Sequence, residues 1–158
     1  MLREWPPGYG GIERVAHELG VVWRTPVYSL DAQRIQRVLD SSEKDPLPVP
    51  YLRRRLQCLQ LGRLLLPLPS RRLMQLLQSR EPLHGHLPSP GVLLILMLAR
   101  CLQPQRWVSA HWHAFLEAGP EGGAFLFRFY QKVAMRLVPL LSEVITTSPL
   151  LAGELVQI

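Results

Sequence analysis

Four short stretches carry the residue types that could do chemistry in this chain. "GYGG" (Gly8 to Gly11) precedes helical spacing, "HGH" (His84 to His86) and "HWH" (His111 to His113) each set two histidines one residue apart, and "TTS" (Thr146 to Ser148) closes an apolar run. Glycines ahead of a helix leave the backbone free to adopt positive φ and to approach a ligand. The helix start behind them presents unpaired N–H groups and a partial positive charge suited to phosphate. Histidine supplies a donor, an acceptor and titration near neutrality. Paired histidines also raise a metal site, but no carboxylate or cysteine cluster accompanies them, so neither metal nor cofactor is expected. Each feature has a plainer alternative: a glycine turn with capping only, and histidines that cap a strand at the edge of the core.

These stretches must be positioned by alternating strands and helices. Ile12, Val15, Ala16 and Leu19 share one helical face, with Gly20 as an expected stop. "VVWRTPVYSL" reads as extended, and a short helix is expected over Ala32 to Leu39. The basic, leucine-rich segment from Tyr51 to Leu66 is expected to be helical. "PSRRLMQLLQSREP" predicts a helix capped by Ser70 with Leu73, Leu76 and Leu77 inward, and "PGVLLILMLARCL" a helix buried on nearly every side. "LHGH", "RWVSAHWH" and "EVITTS" read as strands. A last long helix over Ala124 to Leu141 sets Leu126, Phe129, Tyr130, Val133, Leu137 and Leu140 inward, with Arg128, Lys132 and Arg136 as an opposite cationic stripe.

Such alternation implies an α/β, Rossmann-like, mostly parallel sheet flanked by helices in one domain over residues 1–158. Ligands of these folds bind where strands lead into helices, and the two histidine stretches and "TTS" occupy those places. The charge supports anionic partners: 18 basic against 12 acidic residues give +6. It does not choose among nucleic acid, lipid headgroups and nucleotide phosphates. Nucleic acid is not expected, because the aromatic residues do not interleave with the arginines. Cys58 and Cys101 lie among leucines and are expected as buried free thiols. No apolar run approaches the roughly 20 residues of a membrane span, so the chain is expected to be cytoplasmic, with peripheral contact at the inner membrane face.

"YGGIERVAHEL", "HGHLPSPG", "WVSAHWHAFL" and "VITTSPLL", in this order, resemble the amino-terminal half of family-4 glycosyltransferases. These are retaining, nucleotide-sugar-dependent enzymes of the two-domain GT-B architecture. The resemblance spans roughly residues 6 to 155 and implies transfer of a hexose to a lipid-linked or polysaccharide acceptor in cell-envelope glycan biosynthesis. It implies that Gly10 and Gly11 face the donor diphosphate and the acceptor. His111 would lie beside the reacting sugar as the catalytic position, a neutral imidazole that hydrogen-bonds a donor-sugar hydroxyl and helps orient the anomeric carbon. His86, Trp112 and His113 would contact substrate, with His84 expected on the side of its strand opposite His86. Thr147 and Ser148 match a block whose hydroxyl caps the next helix.

Two departures from the family's pattern shape the expectation. Only "MLREW" precedes the glycine loop, so the first strand is expected to be missing or reduced. The groups that neutralise the leaving diphosphate and grip the nucleotide belong, in the family, to a carboxyl-terminal domain. The chain is therefore expected to be truncated at both ends relative to the family, and inactive unless a separate protein supplies that domain. The rival expectation is a non-catalytic interaction or membrane-surface module of the same fold.

Overall fold

The computed structural model describes residues 1–4, 11–31, 50–61, 64–114 and 124–156. Seven strands, β1 (Leu2–Glu4), β2 (Val27–Asp31), β3 (Arg53–Leu61), β4 (Leu64–Pro67), β5 (Leu83–Leu87), β6 (Val108–Trp112) and β7 (Glu143–Thr146), form one sheet in the order β4-β3-β2-β1-β5-β6-β7. All neighbours pair in parallel except β3 and β4. Among the described residues five helices flank them: α1 (Gly11–Trp23), α2 (Arg71–Gln78), α3 (Pro90–Leu102), α4 (Ala124–Leu137) and α5 (Pro149–Val156). The chain is thus an α/β protein with a mostly parallel sheet. Among the described residues no helix is long and apolar enough to cross a membrane.

The first strand, expected to be missing or reduced, is present and central but only three residues long. Its three residues pair with β2 through Leu2, Arg3 and Glu4 and with β5 at Leu2 and Gly85. Three residues suffice because neighbours on both sides supply the ladder.

Strand alternation sorts the sheet into two faces. On one, Leu30, Leu56, Cys58, Leu83, Leu87, Val108, Ala110 and Trp112 pack with α2, α3 and Ala134 of α4 into the main core. On the other, Val27 joins Met1, Tyr51 and Ala16 of α1 in a smaller cluster. Gly85 explains how α3 lies so close to β5: a Cβ there would meet Leu96 Cδ1 at 2.8 Å and Val92 Cγ1 at 2.9 Å.

The segment expected to be one helix from Tyr51 to Leu66 is instead the antiparallel pair β3 and β4, with Leu61 opposite Leu64. Leu56 and Cys58 are buried while Gln57 and Leu59 are exposed, which is a period of two. Gly20 does not stop α1, which runs on to Trp23. A Cβ at Gly20 would meet the Tyr51 ring at 2.9 Å, so this glycine serves helix-to-strand approach rather than termination. In α4, Phe129 is 58% exposed, and Leu140, in the 3-10 turn that follows, is 56% exposed; Ala134 and Val138 take the core positions. Arg128, Lys132 and Arg136 are exposed as expected. Cys58 is buried as expected, but Cys101 is exposed. The helix expected over residues 32–39 and the side chain of Leu126 lie outside the described residues.

The helix from Arg71 begins as expected: Ser70 is extended and its hydroxyl accepts from the Leu73 N–H at 3.2 Å. Leu73, Leu76 and Leu77 are its buried side chains. Ser70→Ala is expected to cost about 1 kcal/mol, seen as a lower urea midpoint at unchanged slope. An unchanged midpoint would show that the cap contributes nothing.

Candidate functional site: a histidine-lined face at the strand ends

The same alternation that sends Leu83, Gly85 and Leu87 toward α3 turns His84 and His86 to the α1 side. On β6, Val108, Ala110 and Trp112 belong to the main core, so Ser109 and His111 face the α1 side too. The parallel register sets His84 beside Ser109 and His86 beside His111. His113, one residue past β6, is held by its own N–H, which donates to the Leu87 carbonyl at 3.0 Å. Four of the chain's five histidines therefore converge.

The rings pack closely. His84 and His86 meet edge to face at 5.2 Å between centroids, and His86 and His111 lie 5.8 Å apart. His113 stacks on His86 at 5.2 Å and on His111 at 4.1 Å. His86 Nδ1 and His113 Nε2 share a hydrogen bond of 2.9 Å, and His86 Nε2 contacts the Met1 thioether at 3.3 Å. His84 Nδ1 hydrogen-bonds Ser109 Oγ at 2.9 Å, and Trp23 at the end of α1 meets the His84 ring edge-on at 5.4 Å.

Burial dominates the electrostatics. It pushes His84 down to about 4, with the positive charges of His111, the amino terminus and His113 adding to the effect. Burial, then His111, pushes His113 to about 4 as well, and burial alone lowers His111. Charging one imidazole among its neighbours is unfavourable in a dry site. At neutral pH, His84 and His113 are therefore neutral groups able both to donate and to accept.

The adjoining strand end is tied to this face. Thr147 Oγ1 donates to the His113 carbonyl at 3.0 Å, and Thr146 Oγ1 to the Ser148 carbonyl at 3.0 Å. The Thr147 hydroxyl thus braces the β6 end instead of capping the helix after β7.

The residues expected to act are partly brought together. His86, His111 and His113 form one cluster. His84 belongs to it too, contrary to the expectation that it faces away, because residues two apart on a strand share a face. Trp112 does not belong: it is 1% exposed and buried in the main core, as the residue between two same-face histidines must be. Gly11 is the exposed first residue of α1, where an added Cβ would meet nothing within 4 Å. Gly8 and Gly10 lie outside the described residues. Sequence reasoning missed the packing of His84 against His86 and Ser109. The period-two parity of "LHGHL" and "VSAHW" was the signal for it.

No family model, curated protein or solved structure matches the chain.

Proposed function

We propose that the chain is the acceptor-side, amino-terminal domain of a GT-B glycosyltransferase that uses a nucleotide sugar to extend a lipid-linked or polysaccharide acceptor. The observation that carries this reading is positional. The resembling blocks run through the start of α1, β5 with its exit, β6 with its exit and the end of β7, and β1, β5, β6 and β7 are consecutive in the sheet. β1 and β5 are neighbours, and their following helices α1 and α3 pack on opposite faces. That is the strand-order reversal beside which open α/β sheets hold their ligands.

In this reading His111 orients a sugar hydroxyl as a neutral hydrogen-bonding group, with His86 and His113 fixing its ring by contact and stacking. The exposed stripe of Arg128, Lys132 and Arg136 suits an anionic lipid surface carrying the acceptor. It also favours the second reading, a non-catalytic membrane-surface module. Calorimetric titration with short-chain prenyl-diphosphate sugars separates the two. His111→Ala is expected to weaken binding about tenfold or more, roughly 1.4 kcal/mol, while His17→Ala leaves it unchanged. Binding to acidic vesicles without any prenyl-diphosphate sugar binding would replace the transferase reading by the module.

A further inference from the structure

We propose that His84, His86 and His111 form a binding site for one late first-row divalent cation, with zinc as the representative ion. This inference does not depend on the glycosyltransferase reading. The three rings offer one nitrogen each, and these atoms lie within 4.8 Å of one another in a group of two buried histidines and the half-buried His111. Three nitrogens each about 2.0–2.1 Å from a common tetrahedral ion would be about 3.4 Å apart. To meet a common ion the three rings must draw together from the 4.8 Å spacing.

A second observation points to a ligand at the same place. His84 Nε2 is buried and has no hydrogen-bond partner among the described residues. Buried polar atoms are normally satisfied, and one that is not needs an explanation. The other nitrogen of that ring hydrogen-bonds Ser109 Oγ at 2.9 Å. When Nδ1–H donates to that hydroxyl, the lone pair on Nε2 is left for an ion, the arrangement that fixes the tautomer of metal-bound histidines. His86 is held in the same manner, with Nδ1 hydrogen-bonded to His113 Nε2. Its Nε2 is set against the Met1 sulfur, itself a soft donor.

Three neutral imidazoles select zinc, cobalt, nickel or copper over magnesium and calcium, which need hard oxygen ligands. His111 would ligate through one ring nitrogen and keep the other for a ligand hydroxyl, so metal and sugar contact do not exclude each other.

The test uses the untagged chain, stripped with a chelator and titrated with cobalt and then zinc. The expected result is one equivalent of cobalt with visible d–d absorption from nitrogen ligands, displaced by one equivalent of zinc, and no competition from magnesium. His84→Gln and His111→Gln are each expected to weaken zinc binding roughly 100-fold or more, and Ser109→Ala about tenfold. His17→Gln should leave affinity unchanged. Far-UV circular dichroism confirms that each variant is folded, and the half-buried position of His111 keeps the test open should the His84 variant fail to fold. Absence of a cobalt spectrum in the wild-type chain, or stoichiometric zinc retained by the His111 variant, would overturn the site.

Discussion

Gly91→Ala is expected to destabilise the domain by about 3 kcal/mol, the upper end of what overpacking costs. Gly91 follows the cap Ser89 and Pro90 in the first turn of α3, and a Cβ there would overlap the Leu65 carbonyl oxygen of β4 and come within 2.9 Å of Leu30 Cδ1. The first obstacle is backbone inside a hydrogen-bonded strand pair, which cannot rotate away as a side chain can. Alanine in place of glycine favours a helix interior by up to about 1 kcal/mol, so the two effects oppose each other and the sign is informative. A fall in the urea midpoint means that contact with β4 wins. A rise means that α3 can lift away from the sheet. The consequence reaches the site, because α3 starts two residues after β5, the strand bearing His84 and His86.

Arg106→Met is expected to cost about 1–3 kcal/mol, and Arg106→Lys to recover little of it. Arg106 is 5% exposed at the turn before β6, where its Nε donates to the Glu81 carbonyl at 2.7 Å and its Nη1 to the Leu76 carbonyl at 2.9 Å. Methionine fills the stem's volume but leaves the Glu81 carbonyl without this donor. It also weakens the satisfaction of Leu76, which keeps the Ser79 N–H at 3.3 Å. The Glu81 carbonyl is part-buried, and an orphaned acceptor costs up to roughly 1–3 kcal/mol. Lysine cannot reproduce the planar fork that reaches two carbonyls at once. Burial holds the Arg106 pKa below its usual value, and the nearby Glu81 carboxylate opposes that effect. Urea unfolding of both variants measures the cost, and a lysine variant as stable as the wild type would show that charge, not fork geometry, is what matters.

Legibility followed the range of the interaction that decides each element. α2 could be placed because Ser70 caps it, and α3 because an unbroken apolar run follows Pro90, all signals within a few residues. β3 and β4 could not, because Leu52, Leu56 and Leu59 fit a helical face as readily as Leu56 and Cys58 fit strand parity. The choice between them is made by β2, which pairs with β3 from 26 residues away in sequence. The strands bearing the histidines were readable one by one, and their parity already implied that His84 joins His86 and that Trp112 turns inward. What the sequence did not contain is the register of β5 on β6. That register sets His86 beside His111, and His84 Nε2 is left buried without a hydrogen-bond partner among the described residues.

The account's central claim is that the β5 and β6 ends make one ligand-binding face whose working groups are histidines. Selective labelling of the five histidines and observation of their ring carbons by NMR tests it most directly. On titrating the chelator-treated chain with a short-chain prenyl-diphosphate hexose, His86, His111 and His113 should shift together and saturably. His17, hydrogen-bonded to Tyr51 at 3.0 Å away from the cluster, should stay still. Saturable binding that leaves all three cluster histidines unshifted, or no binding at millimolar ligand, would contradict the account.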